Sequence, residues 1–159
     1  MKQSFLIFLL MNFLSVCFAF CKDNTHVSGN SKVQNINNKK DTMSNKIKIR
    51  IGSNTFTATL LDNPTATAFK ALLPLTINMK ELNGNEKYAE LPKNLVTNSS
   101  NPGTIKTGDI MLYGSNTLVL FYRTFSTSYS YTKLGHLNNV DGLTEAVGLG
   151  NVTVTFEAE

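Results

Sequence analysis

The sequence predicts a mainly β fold, a closed barrel or sandwich of about eight short strands with two short helices. Three observations carry this expectation. Apolar and polar side chains alternate in several runs between residues 46 and 157, the period of a half-buried strand. Turn-forming residues separate these runs at short intervals. Only two stretches show helical spacing, and both are short.

Taken in order, Lys46 to Ile51 (KIKIRI) alternates throughout, with Ile47, Ile49 and Ile51 on one face. Gly52-Ser53-Asn54 makes a turn, and Thr55 to Leu61 returns as the second arm of a hairpin. Asp62-Asn63-Pro64 is a helix start, a capping side chain followed by Pro in the first turn. Ala68, Phe69, Leu72 and Leu73 continue the helix, and Pro74 stops it. Leu75, Ile77 and Met79 alternate as a third strand. Asn83-Gly84 is a hairpin turn into a short strand, Glu86 to Glu90. Residues 92–107 read as a loop rich in Asn, Ser, Pro and Gly. Asp109 to Tyr113 and Thr117 to Tyr122 are strands joined by Gly114-Ser115-Asn116. The second is nearly all apolar, which predicts burial on both faces. Ser126 to Ser130 is a loop and Thr132 to Leu137 a strand. Asp141 to Val147 is a short helix ended by Gly148 and Gly150, and Val152 to Glu157 is the last strand.

The first 45 of the 159 residues are unlike the rest. Lys2, an apolar run from Phe5 to Leu14 broken once by Asn12, and small residues at Cys17 and Ala19 give the three-part layout of a secretory signal over residues 1–21. The run is shorter than the roughly 20 residues a membrane span needs. Leu14-Ser15-Val16-Cys17 also approximates a lipoprotein signal, so Cys17 and Cys21 are lipidation candidates. Residues 22–45 have no aromatics and are rich in Asn, Lys and Ser, the composition of a flexible tether. The folded unit is therefore expected at 46–159, exported to the periplasm or cell envelope. It would touch a membrane only through the signal or a lipid anchor.

Composition also excludes functions. Within 46–159 ten Lys and Arg face nine Asp and Glu, so this unit is nearly neutral and no nucleic-acid-binding face is indicated. Both cysteines lie in the leader, which removes thiol catalysis, cysteine metal sites and a disulfide from the folded unit. His136 is its one histidine, so no multi-histidine metal centre is expected, nor any cofactor. Glu81, Glu86 and Glu90 surround one hairpin. They could act as paired carboxylates, but a solvated hairpin edge is the expectation. Asp109 should make a turn hydrogen bond.

The order of two strands, a helix, five strands, a helix and a last strand resembles the cyclophilins. Gly108-Asp109-Ile110-Met111-Leu112, the buried Leu118 to Tyr122 strand, and Leu134-Gly135-His136-Leu137 before Asp141-Gly142-Leu143 are similar to their second half. More closely, Lys48–Gly52, Asn63–Pro74, Asn85–Pro92 and Gly108–Tyr113 resemble the bacterial cyclophilin-like family of small proteins. The resemblance covers 46–159 and implies a cyclophilin-like closed barrel with two short capping helices.

It implies less about activity. Active cyclophilins carry an Arg near their third and fourth strands that stabilises the twisting prolyl amide, against an uncatalysed barrier of about 18–20 kcal/mol. Here Ile77 to Leu91 contains no Arg, Gln or His, and the arginines are Arg50 and Arg123. In cyclophilins the region after the buried strand borders the substrate groove. The ligand-binding candidates are therefore Phe121, Arg123, Phe125, Tyr129, Tyr131 and His136, against the alternative that the aromatics are structural. No catalytic residue is assigned. The expected function is binding of a peptide or small-molecule ligand by a monomer, without efficient prolyl isomerase activity. The alternatives are a divergent peptidyl-prolyl isomerase and an envelope adaptor domain.

Overall fold

The computed structural model describes residues 44–159; the expected leader, nearly all of the tether, and Cys17 and Cys21 lie outside the described residues. Alternation builds the strands. β1 (Lys46–Ile51) buries its three isoleucines and turns Lys46, Lys48 and Arg50 outward. β2 (Asn54–Leu60) returns antiparallel to it, burying Phe56, Ala58 and Leu60. Asn63 caps α1 (Pro64–Lys70): its Oδ1 accepts the Ala66 N–H at 2.8 Å, while its Nδ2 donates to Lys133 O at 3.0 Å. The helix ends before Leu72 and Leu73, earlier than its apolar spacing suggests. Pro74 disfavours helical geometry at the residue before it.

β3 (Leu75–Leu82) and β4 (Glu86–Glu90) follow, joined by a turn with positive φ at Asn83 (57°) and Gly84 (68°), the geometry Asn-Gly favours. Next come β5 (Thr104–Ile105), β6 (Asp109–Tyr113), β7 (Thr117–Phe121), β8 (Phe125–Ser126) and β9 (Thr132–Leu137). α2 (Leu143–Val147) and β10 (Val152–Ala158) complete the chain. Eight strands close into an antiparallel barrel in the order β1-β10-β3-β4-β7-β6-β9-β2, and β5 pairs with β8 as a separate ribbon. β5 lies inside the loop expected at 92–107 and β8 runs into the one expected at Ser126 to Ser130, because two-residue strands carry no readable period.

The barrel interior holds Ile47, Ile49, Ile51, Leu112, Leu118, Leu120, Val154 and Phe156 among others. Ala66 and Phe69 of α1 and Leu143 and Val147 of α2 join that core, with the Phe69 and Phe156 rings 5.7 Å apart edge to face. A second cluster is Ile105, Met111, Val119, Phe121 and Tyr131. On β7, Leu118 and Leu120 belong to the first cluster and Val119 and Phe121 to the second. Successive strand side chains point to opposite faces, so the second cluster sits on the outside of the barrel. This explains the nearly all-apolar β7: both of its faces are covered.

Candidate functional site

The outer cluster is built by long-range pairing. Tyr131 is fixed just before β9 by a two-way bridge with Ser100, N–H to O at 3.0 Å in each direction. Its ring packs edge to face on Phe121, with centroids 5.5 Å apart, and lies 5.6 Å from the Tyr113 ring. Phe121 meets Phe125 of β8 at 5.8 Å, and Tyr113 meets Tyr129 at 6.2 Å. Register adds β4: Tyr88 stands opposite Val119, and Glu86 opposite Phe121.

These side chains wall two adjoining cavities on the outer face. One, about 380 Å³, is lined by Leu82, Glu86, Tyr88, Tyr113, Tyr129 and Tyr131, with Asn83, Thr117 and Val119. The other, about 200 Å³, shares Asn83, Glu86, Tyr129 and Tyr131 and adds Asn85 and the Phe125 to Ser128 segment. Glu86 is common to both and is only 7% exposed, and its Oε2 is buried without a hydrogen-bond partner. Asn85 Oδ1, in the smaller cavity, is likewise buried and unpartnered. Burial, and then the charge of Glu81, push the Glu86 carboxyl up to about 6. Among the described residues, no Lys or Arg lines either cavity.

The neighbouring Lys87 cannot serve Glu86, because it points to the other face of β4. Lys87 is fully buried and donates to Glu81 Oε2, to Gly148 O at 2.9 Å and to Gly150 O at 2.6 Å. Its ammonium also lies 5.4 Å from the centre of the Tyr122 ring. Tyr122 Oη donates to the Glu81 carboxylate, 2.9 and 3.0 Å from its two oxygens. Burial works to raise the Glu81 carboxyl, but hydrogen bonds from Lys87, Tyr122 and the Gly84 N–H outweigh it and hold the group below its usual range. Burial and then the bond to Glu81 push the Tyr122 phenol up to about 12. The cation inside the barrel is thus fully committed.

Of the six candidates from sequence, the structure brings four together: Tyr129 and Tyr131 as walls, Phe125 at the edge of the smaller cavity, and Phe121 beneath them. Arg123 is exposed and lines neither cavity. His136 is exposed on β9, with Nδ1 2.9 Å from Asp109 Oδ1, and it too is apart from the groove. Asp109 makes the expected turn bond, accepting the Lys106 N–H at 2.8 Å. The solvated-edge expectation for the hairpin carboxylates fails at Glu86 and Glu81, because one lies beneath the tyrosines and the other holds Lys87. Sequence reasoning also passed over Tyr88 and Tyr113. The signal was available: Tyr88 shares a strand face with Glu86, and the doubly apolar β7 implied a covered outer surface. Among the described residues, no three His, Cys, Asp or Glu side chains gather as a metal-holding group.

A model of the cyclophilin-like family matches residues 49–157 of the chain. Among solved structures, the solution structure of a hypothetical protein from Archaeoglobus fulgidus is similar, with a TM-score of 0.50 and 18% identity. The likeness covers 74% of this chain and 96% of that one, and at such identity it is one of fold alone. No curated protein sequence matches the chain.

Proposed function

The chain belongs to the cyclophilin-like family, and from that premise we propose that it is an exported barrel that binds a peptide or small ligand in the tyrosine-walled groove, without efficient prolyl isomerase activity. One observation carries the reading: an outer groove with four tyrosines around it and a buried, unpartnered carboxylate in its wall. Such concave, mostly aromatic sites with a few fixed polar groups are how small ligands and extended peptides are held. A buried acceptor left without a donor is costly, typically about 1–3 kcal/mol, and a ligand that supplies the donor recovers that cost.

The same lining argues against efficient isomerisation. Twisting the prolyl amide needs a positive group or strong donor aimed at the developing charge. The groove offers the Glu86 carboxylate, whose charge opposes that development, and no Lys or Arg among the described residues lines it; Arg123 lies outside. Export, from the leader, would place the groove in the periplasm or envelope, with Cys17 or Cys21 as the point of any lipid anchor.

Tyrosine fluorescence provides the test. The chain has five Tyr and no Trp, and four of the five wall the groove, so intrinsic emission reports on this site. Extended peptides or small ligands that occupy it should change that emission saturably, and Tyr129→Ala should weaken the change. Emission that stays flat with every ligand, alongside proline-peptide turnover at the rates of active cyclophilins, would replace the binding module with an isomerase.

A further inference from the structure

The groove is chemically one-sided. Its two adjoining cavities hold two buried acceptor oxygens, Glu86 Oε2 in the wall of both and Asn85 Oδ1 in that of the smaller, that no donor among the described residues reaches. It contains four phenol rings, whose faces attract positive charge. Among the described residues it has no cation in its lining, and the nearest lysine in sequence is tied to Glu81 and two carbonyls on the opposite face of β4. A carboxylate 7% exposed, with one oxygen buried and unpartnered and no counter-ion in the cavity lining, is disfavoured in the ligand-free protein.

Resting on the reading of this groove as the ligand site, we propose that its ligand presents a primary ammonium group to Glu86 and Asn85, with its carbon chain lying along Tyr88, Tyr113, Tyr129 and Tyr131. A primary ammonium has three N–H donors, enough for both orphan oxygens. A quaternary ammonium would satisfy the rings but neither oxygen, and a neutral alcohol would leave the carboxylate charge unpaired. The rise of the Glu86 carboxyl above its ordinary value agrees with a site that lacks its counter-ion. The ammonium can come from a free alkylamine or from a lysine side chain of a peptide; the groove recognises the chemistry they share.

Titration of the 15N-labelled protein with n-butylammonium and with N-acetyl-lysine amide tests this, each against its neutral counterpart, 1-butanol and N-acetyl-norleucine amide. Tetramethylammonium is the third control. The expected result is that amide shifts cluster at Glu86, Tyr88, Tyr129 and Tyr131. At least one ammonium should bind tenfold or more tighter than its neutral partner and than tetramethylammonium. Whichever cation is tighter assigns the source. Glu86→Gln should erase the preference while keeping a dispersed spectrum, and Tyr129→Ala, at an exposed side chain, should weaken both cations severalfold. Equal binding of cation and neutral analogue in the groove would overturn the ammonium assignment and leave the groove as a binding site. Absence of clustered shifts with all five compounds would overturn both.

Discussion

Lys87 and Glu81 form a salt bridge in which the lysine is fully buried and the carboxylate passes the contact on to Tyr122. The pair fastens the β3–β4 hairpin to the loop after α2 through Gly148 and Gly150. Removing one partner of such a pair strands the other and leaves two carbonyls without a donor. Lys87→Met should therefore lower stability by about 3–5 kcal/mol, and Glu81→Gln added to it should recover part of the loss. Urea unfolding of the two variants and the parent protein measures this.

Glu86 should oppose folding at neutral pH when no ligand is present. Its folded value, about 6, lies above the ordinary 4.5. The folded state thus holds its proton longer, and the stabilisation present below the unfolded value is lost as pH rises through about 6. The loss is on the order of 1–2 kcal/mol, reduced by solvent at the groove mouth. Glu81 has the opposite sign: its contribution is present above 4.5 and is lost as pH falls through its lowered folded value. Unfolding free energies across this range should show Glu86→Gln more stable than the parent above pH 6, with the difference shrinking toward acid.

Gly135 allows two strands to approach closely. A Cβ there would meet Thr59 O at 2.5 Å and Leu60 Cα at 3.0 Å, both backbone atoms with little freedom to move. It lies where the β6–β9 register shifts between Ile110 and Met111. Gly135→Ala should cost about 1–3 kcal/mol, read as a lowered thermal midpoint.

Prolyl isomerase activity should stay near background. In a protease-coupled proline-peptide assay the protein should add little to the uncatalysed rate, and Arg123→Ala should change nothing, since Arg123 lies outside both cavities. Cyclophilin-like rates abolished by Arg123→Ala would assign the protein to the isomerases.

The barrel was legible because its strands are half-buried. KIKIRI of β1, Asn83-Gly84 and the Asn63-Pro64 cap each state their geometry locally. The site was legible only in part. Tyr129 and Tyr131 stood out as a dense aromatic run, but the pocket they make depends on distant partners. The Ser100–Tyr131 bridge and the β5–β8 ribbon join segments about which a local pattern says nothing. Glu86 reads as a polar residue on the outward face of β4, which it is. Its burial comes from tyrosines more than twenty residues away in sequence, so alternation alone assigned it to solvent. Lys87 draws no notice in the sequence for the complementary reason, since its charge hides an inward position that the period of β4 demands.

The most direct measurement is the titration of the Glu86 side-chain carboxyl by 13C NMR, with and without saturating n-butylammonium. The titratable groups around it are the phenols of Tyr88, Tyr113, Tyr129 and Tyr131, and Glu81 acts on it by charge; the charge of Lys87 is turned inward onto Glu81. Glu86 should titrate near 6 in the free protein and drop toward or below 4.5 when the ammonium is bound. A carboxyl that titrates at the ordinary value and does not move with the amine would contradict the account of the groove as an unpaired anion awaiting its counter-ion.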